Sequence, residues 1–207
     1  MVPGDRKTRD SHFLEDRVRQ KPDGALCAER RKMQMIFQDP FASLNPRMKV
    51  GDIVAEPLAI HEPQLSRANR LPRTGEILRR VGLDDSALQR YPHESSGEQR
   101  QRIGIARALI LRPKLIIADE PVSALDVSVG AKVLQLLHSL QKDFGLTYVF
   151  ISHSPPVVAQ LATHIAVMRA GQFVEYGPAE LILRQPTSGY TRVLLAAVPE
   201  VPRTGQV

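Results

Sequence analysis

Several short groups of residues in this chain carry side chains suited to chemistry on phosphate and water. Leu115-Ile116-Ile117-Ala118-Asp119-Glu120 is an apolar run of strand length that delivers two acids at its carboxyl end, where open α/β sheets place their ligands. An Asp there can hold Mg²⁺, directly or through water. A Glu after it can orient or deprotonate an attacking water. The same pair also fits acids that only end a strand in solvent. Ser95-Ser96-Gly97-Glu98-Gln99 opens a helical pattern. Ser96 with Gln99, or Ser95 with Glu98, fits a capping box, and a hydroxyl beside the N–H groups of a helix start also suits phosphate. Ser123-Ala124-Leu125-Asp126 follows the acids as a turn and helix start, where Asp126 fits an N-cap. His153 stands directly after the apolar run Thr147 to Ser152; there it can meet acids from a neighbouring strand. Gln38, between Phe37 and Asp39-Pro40, carries no meaning alone.

Chain order and periodicity indicate what must position these residues. Gln99 to Leu111 reads as a helix that stops before Pro113, and Lys114 to Ala118 as a buried parallel strand. Val127 to Phe144 places Val133, Leu134, Leu137 and Leu140 on one helical face and ends at Gly145. Thr147 to Ser152 reads as a second buried strand and Ile165 to Arg169 as a third. Ala170-Gly171 turns into a hairpin partner, Gln172 to Glu175; Pro178 to Leu183 and Tyr190 to Ala197 close the chain as helices. This alternation predicts an α/β core with a parallel sheet. Upstream, Met33 to Phe37 is strand-like, and residues 41–72, with Pro46, Pro57, Pro63 and Pro72, read as loop with short helical pieces. Glu76 to Val81 is helical and stops at Gly82. Residues 1–32 show no periodicity, and Pro22-Asp23-Gly24 reads as a turn, so this segment is expected to be poorly ordered or foreign to the rest.

The 207 residues are 43% apolar, 24% charged and 5% aromatic, the composition of one globular domain with a full core. The single cysteine, Cys27, excludes an internal disulfide framework and a Cys-rich zinc site, and suits a reducing compartment. The longest apolar run, Val193 to Val198, falls far short of the ~18 residues that span a bilayer. Met1 to Lys21 lacks the apolar stretch of a secretory leader. The net charge of +6 is dispersed rather than blocked, so it implies no nucleic-acid partner.

Together and in this order, Gln38, Ser96-Gly97-Glu98-Gln99, Asp119-Glu120, Ser123 to Asp126 and His153 resemble the Q-loop, signature, Walker B, D-loop and H-loop of ABC-transporter nucleotide-binding domains. Met33 to Met48, Tyr91 to Glu94, Arg100 to Leu109 and Gly189 to Pro199 are similar to the oligopeptide/dipeptide import ATPases. The resemblance covers roughly residues 31–202. It implies a truncated P-loop NTPase core of the α/β class, with a parallel sheet and a helical signature subdomain at about 41–112. The partial domain would run over 33–202, with 1–32 atypical and 203–207 a tail. It further implies ATP and Mg²⁺ as cofactors and a second ABC ATPase subunit, identical or not, in a head-to-tail dimer around two ATP molecules. Integral membrane permease subunits complete the set, which places the chain peripherally on the cytoplasmic face of the inner membrane. By the same resemblance Ser96 and Gly97 meet the γ-phosphate of the partner's ATP, with Gln99 and Asp126 also at the nucleotide. Asp119 holds Mg²⁺ through water, Gln38 joins that shell, Glu120 is the general base, and His153 contacts the γ-phosphate.

Some residues depart from this pattern. The family needs a G-x-x-x-x-G-K-[ST] loop before the Q-loop, whose N–H groups and Lys cradle phosphate. The only glycines before Gln38 are Gly4 and Gly24, and Lys7-Thr8 has no glycine loop around it. The chain is therefore expected to hold ATP poorly through its own site, and hydrolysis by it alone to be weak. A parallel sheet short of a strand is expected to expose apolar faces and to be marginally stable. Glu98 stands where the signature has its second glycine; a carboxylate ~5 Å from a phosphate charge opposes it by roughly 3 kcal/mol at an effective dielectric of ~20. Ser154-Pro155-Pro156 follows His153 in place of an Asp, and Pro155 at a helix start is compatible with that place. Three functions compete: an importer ATP-binding subunit, a non-catalytic remnant that at most donates its signature to a mixed dimer, and a soluble ABC protein without transport. The text around Gln38 and the tail from Tyr190 to Pro199 favour the first.

Overall fold

A computed structural model describes residues 23–197. They divide into two compact units, one of residues 23–36 and 40–117, the other of 37–39 and 118–197.

The first unit opens with α1 (Asp23–Lys32) and β1 (Met33–Ile36), followed by α2 (Val50–His61) and α3 (Arg67–Arg80). Short 3₁₀ turns at Asp85–Gln89 and Pro92–Glu94 lead to α4 (Gly97–Leu109). Two expectations are corrected here. Residues 23–32 form a helix rather than a turn and irregular chain; the remainder of the segment expected to be irregular lies outside the described residues. The proline-marked stretch, expected as loop with short helical pieces, holds all of α2 and the first turns of α3, with Pro57 and Pro72 inside these helices. An interior proline costs about 3 kcal/mol in lost hydrogen bonding and clash. Burial offsets it: Val50, Ile53, Val54 and Leu58 of α2 and Ile77 and Leu78 of α3 are buried, at roughly 1.5–3 kcal/mol for each large aliphatic side chain. They pack with Ile103, Ile105, Ala106 and Leu109 of α4, which are buried as well. Ser66 starts α3, its hydroxyl accepting from the Asn69 N–H at 3.3 Å. Gly82, at φ 79°, ends it in the left-handed region that glycine enters most readily.

The second unit carries α5 (Val127–Phe144), β3 (Thr147–Ile151), α6 (Pro155–Leu161), β4 (His164–Arg169), β5 (Gln172–Pro178), α7 (Ala179–Arg184) and α8 (Gly189–Ala196). β2 (Leu115–Asp119) runs from the first unit into the second. The α5 stripe is buried as its spacing predicts, at Val133, Leu134, Leu137 and Leu140. Gly145, at φ 62°, ends that helix.

The fold is α/β with a parallel sheet of order β1-β2-β3. The strand expected as its next member, Ile165 to Arg169, belongs instead to a separate two-stranded sheet, β4 antiparallel to β5. Ala170 and Gly171 both have positive φ, 48° and 78°, and two such residues in succession join a tight hairpin. β3, the last strand of the first sheet, leaves Val149 and Ile151 each 48% exposed. On β4 and β5, Met168, Phe173 and Tyr176 are exposed too.

Candidate functional site

The apolar register of β2 buries Ile116 and Ala118 and brings Asp119 to the strand's end. The next residue, Glu120, has φ 43°, a conformation that costs a non-glycine residue about 1–2 kcal/mol. Three backbone attachments hold it there. Its N–H donates to the Ile151 carbonyl at the end of β3 at 3.0 Å, and its carbonyl accepts from the Ser123 N–H at 3.2 Å and the Ser123 hydroxyl at 3.0 Å. The carboxylate is thereby aimed at the residues that follow β3 and β1. Oε1 lies 2.7 Å from His153 Nδ1, and Oε2 accepts from Gln38 Nε2 at 3.2 Å. The Glu120 side chain is 19% exposed and the imidazole 73%, so an acid half-sheltered at its root meets an open face.

Gln38, Glu120 and His153 are thus brought together from three distant parts of the chain. Asp119 sits half-buried beside them in sequence. Asp126 occupies the N-cap position of α5, but its side chain makes no capping bond; the simple capping explanation for that residue is not realised. Ser96, Gly97 and Gln99 lie on the first turn of α4, in the other unit. There the Ser96/Gln99 capping box forms and the Ser95/Glu98 alternative does not: Gln99 N–H donates to Ser96 Oγ at 3.2 Å, and Ser96 N–H to Gln99 Oε1 at 3.0 Å.

The charge attributed to Glu98 needs correction. Its Oε1 accepts from Arg102 Nη2 at 2.7 Å and Nε at 3.0 Å, so the carboxylate is paired rather than unopposed. That i,i+4 spacing is readable in the sequence but was overlooked there. A second overlooked feature is a groove of about 590 Å³ in the first unit, lined by Arg47, Lys49, Arg67 and Arg70 together with the acids Asp52 and Glu56, Arg67 being paired with Asp52 at 2.8 Å. The four basic residues come in two pairs, Arg47 with Lys49 and Arg67 with Arg70, about 20 residues apart, which hides their meeting from a linear reading.

The donors near Asp119 and Gln38 are carboxylate and amide oxygens, which suits a hard cation that keeps several waters. Among the described residues no group of three or more His, Cys, Asp or Glu could hold a metal ion.

A parallel α/β sheet with two acids at a strand's carboxyl end has the ligand-bearing edge of open α/β folds. The ABC transporter family model matches residues 7–123, and the chain belongs to that family. The match takes in residues 7–32, against the expectation that the segment is foreign. The chain is 54% identical over 169 residues to the oligopeptide transport ATP-binding protein OppF of Bacillus subtilis (strain 168), covering 82% of this chain and 55% of that protein. It is 49% identical over 196 residues to OppF of Escherichia coli (strain K12), covering 93% and 58%. It is 51% identical over 187 residues to the glutathione import ATP-binding protein GsiA of the same strain, covering 90% and 30%. The chain thus spans a little over half the length of the OppF relatives. Among solved structures, an ATP-binding cassette dimer in a post-hydrolysis state with ADP and Pi superimposes with a TM-score of 0.66 at 31% identity, covering 77% of this chain and 68% of that one.

Proposed function

We propose that this chain is an energy-coupling subunit of an ABC importer for peptides. The observation that carries it is the convergence of Gln38 and His153 on Glu120, from positions 82 and 33 residues away, within a chain about half identical to oligopeptide and glutathione import ATP-binding proteins. Mg-ATP, when bound, supplies a γ-phosphoryl group that passes to water. Asp119 and Gln38 would hold the cation. Glu120 would take the proton of the attacking water, with His153 keeping the carboxylate turned toward the open face. Ser96, Gly97 and Gln99 would receive phosphate at the first turn of α4, where N–H groups have no helical acceptor, and Asp126 would lie at the nucleotide of the assembled dimer.

The second unit would carry the hydrolytic residues and the helices around residues 41–112 the docking surface for a permease. The groove of mixed charge lined by Arg47, Lys49, Arg70, Asp52 and Glu56 supports that surface. A peripheral place on the cytoplasmic face of the membrane follows from this reading, and among the described residues no helix is long and apolar enough to cross a membrane. A second reading, the signature donor in a mixed dimer, rests on the Ser96–Gln99 capping-box turn at the start of α4. Both readings predict ATP-dependent pairing. Light scattering of this chain with an intact import ATPase such as the B. subtilis relative should show a heterodimer in Mg-ATP and not in Mg-ADP. Pairing that ignores the nucleotide, or no pairing, would refute the proposal.

A further inference from the structure

We propose that Arg102 is a positioning residue that parks the Glu98 carboxylate along α4 and so keeps the Ser96–Gln99 turn open to phosphate. The inference rests on the reading of that turn as phosphate-facing. Glu98 is the second residue of α4, beside N–H groups that no helical carbonyl reaches. A carboxylate turned toward that end would satisfy those N–H groups itself and repel an arriving anion. The structure puts it elsewhere. Arg102, one turn on, takes the same oxygen with Nε at 3.0 Å and Nη2 at 2.7 Å.

The guanidinium is itself held in place. Its remaining arm, Nη1, donates to the Val81 carbonyl at 2.5 Å, at the end of α3. Gly82, next in the chain, makes room for it: a Cβ there would lie 2.6 Å from Nη1. The two side chains are largely sheltered, 17% exposed for Arg102 and 27% for Glu98. A fork fixed at both ends, by the α3 terminus and by Glu98, leaves the carboxylate little freedom to swing back to the first turn. This accounts for how a signature turn can carry an acid in place of glycine.

The test follows the Gly97 and Glu98 backbone amides of the ¹⁵N-labelled full chain by NMR while inorganic triphosphate is added. Wild type should shift saturably. Arg102→Gln should bind roughly tenfold more weakly, and Glu98→Gly/Arg102→Gln should recover wild-type affinity. Both variants give up the bond to Val81, so the difference between them reports the carboxylate and not the lost cap. Arg102→Lys, which keeps the charge, should retain part of the binding. Unchanged affinity in Arg102→Gln, or no recovery in the double variant, overturns the inference. If Arg102→Gln does not fold, Glu98→Gly against wild type decides: equal affinity is expected, and much tighter binding by Glu98→Gly means the carboxylate was never parked. A shift seen in Glu98→Gly but not in wild type removes the inference alone. No shift in either removes the phosphate-facing reading, and the inference with it.

Discussion

Replacing Glu62 by Gln should loosen the whole first unit. Glu62 caps α2 and is 8% exposed. Its Oε1 accepts from Arg31 of α1 at 2.5 Å and its Oε2 from Arg73 of α3 at 2.6 Å, so one carboxylate ties three helices. The magnitude follows from exposure. A hydrogen bond to a charged group contributes about 1.5–3 kcal/mol when sheltered. The Arg31 and Arg73 side chains are 44% and 37% exposed, which brings each pair down to about 1 kcal/mol. Gln can accept from one arginine but turns its NH₂ toward the other, so the loss should be about 2 kcal/mol, or roughly 4–8 °C in Tm for a chain of this size. The Arg73 hydrogen bond, opposed by burial and helped by the charges of Arg73, Arg31 and His61, holds the Glu62 carboxyl below its ordinary 4.5. The stabilisation is therefore fully present above about pH 4.5 and is lost as pH falls through the lower folded value. Urea unfolding of wild type and Glu62→Gln at pH 7 and at pH 3 checks both parts. A difference under about 0.5 kcal/mol at neutral pH, or one that grows on acidification, would refute the reasoning.

Gly82→Ala should cost about 1–2 kcal/mol in the same assay, because φ 79° disfavours any side chain and the new methyl meets Arg102; a neutral result would mean the α3 end rearranges freely. At position 120 the usual order should invert, with Glu120→Gly more stable than Glu120→Ala by about 1 kcal/mol, since φ is 43°; equal melting temperatures would place the strain elsewhere. Glu175 is drawn down to about 2 by the Thr191 hydroxyl facing it, which makes no hydrogen bond of ordinary geometry, and by bonds from the Thr187 N–H and hydroxyl and the Ser188 N–H. Its hold on the start of α8 should persist above about pH 4.5 and fade as pH falls toward 2, and Glu175→Gln should speed amide exchange across Gly189–Ala196 at neutral pH; unchanged exchange would remove that role.

Much of the second unit was legible because its signals are local. The stripe on α5, the glycine after it and the acids ending β2 lie where spacing places them. In the first unit α4 and the end of α3 were legible, while the full length of α2 and the start of α3 were hidden by Pro57 and Pro72, since a proline is read as a breaker unless one knows what the helix buries. The Ala170-Gly171 turn after Ile165 to Arg169 was legible as a hairpin, and its two positive φ angles bear that out; what no local signal gave is that this hairpin stands apart from the parallel sheet. Gln38 shows the same limit at the site. As an isolated glutamine it is silent; its contact with Glu120 joins positions 82 residues apart, which no local pattern shows. Glu98 was misjudged for the opposite reason. Its charge was read alone, although the i,i+4 spacing to Arg102 that pairs it is written in the sequence; only the hold of Arg102 on Val81 needs the fold.

The central claim is that this chain supplies part of a composite ATP-hydrolysing site in an importer. The most direct measurement is Mg-ATP turnover by an intact import ATPase titrated with this chain, wild type and Ser96→Arg. Turnover should rise above that of the intact subunit alone and level off at equal amounts of the two, because the Ser96–Gln99 turn completes the partner's site. Ser96→Arg should remove the gain by blocking that turn. No gain at any ratio, or a gain that Ser96→Arg leaves unchanged, would contradict the account.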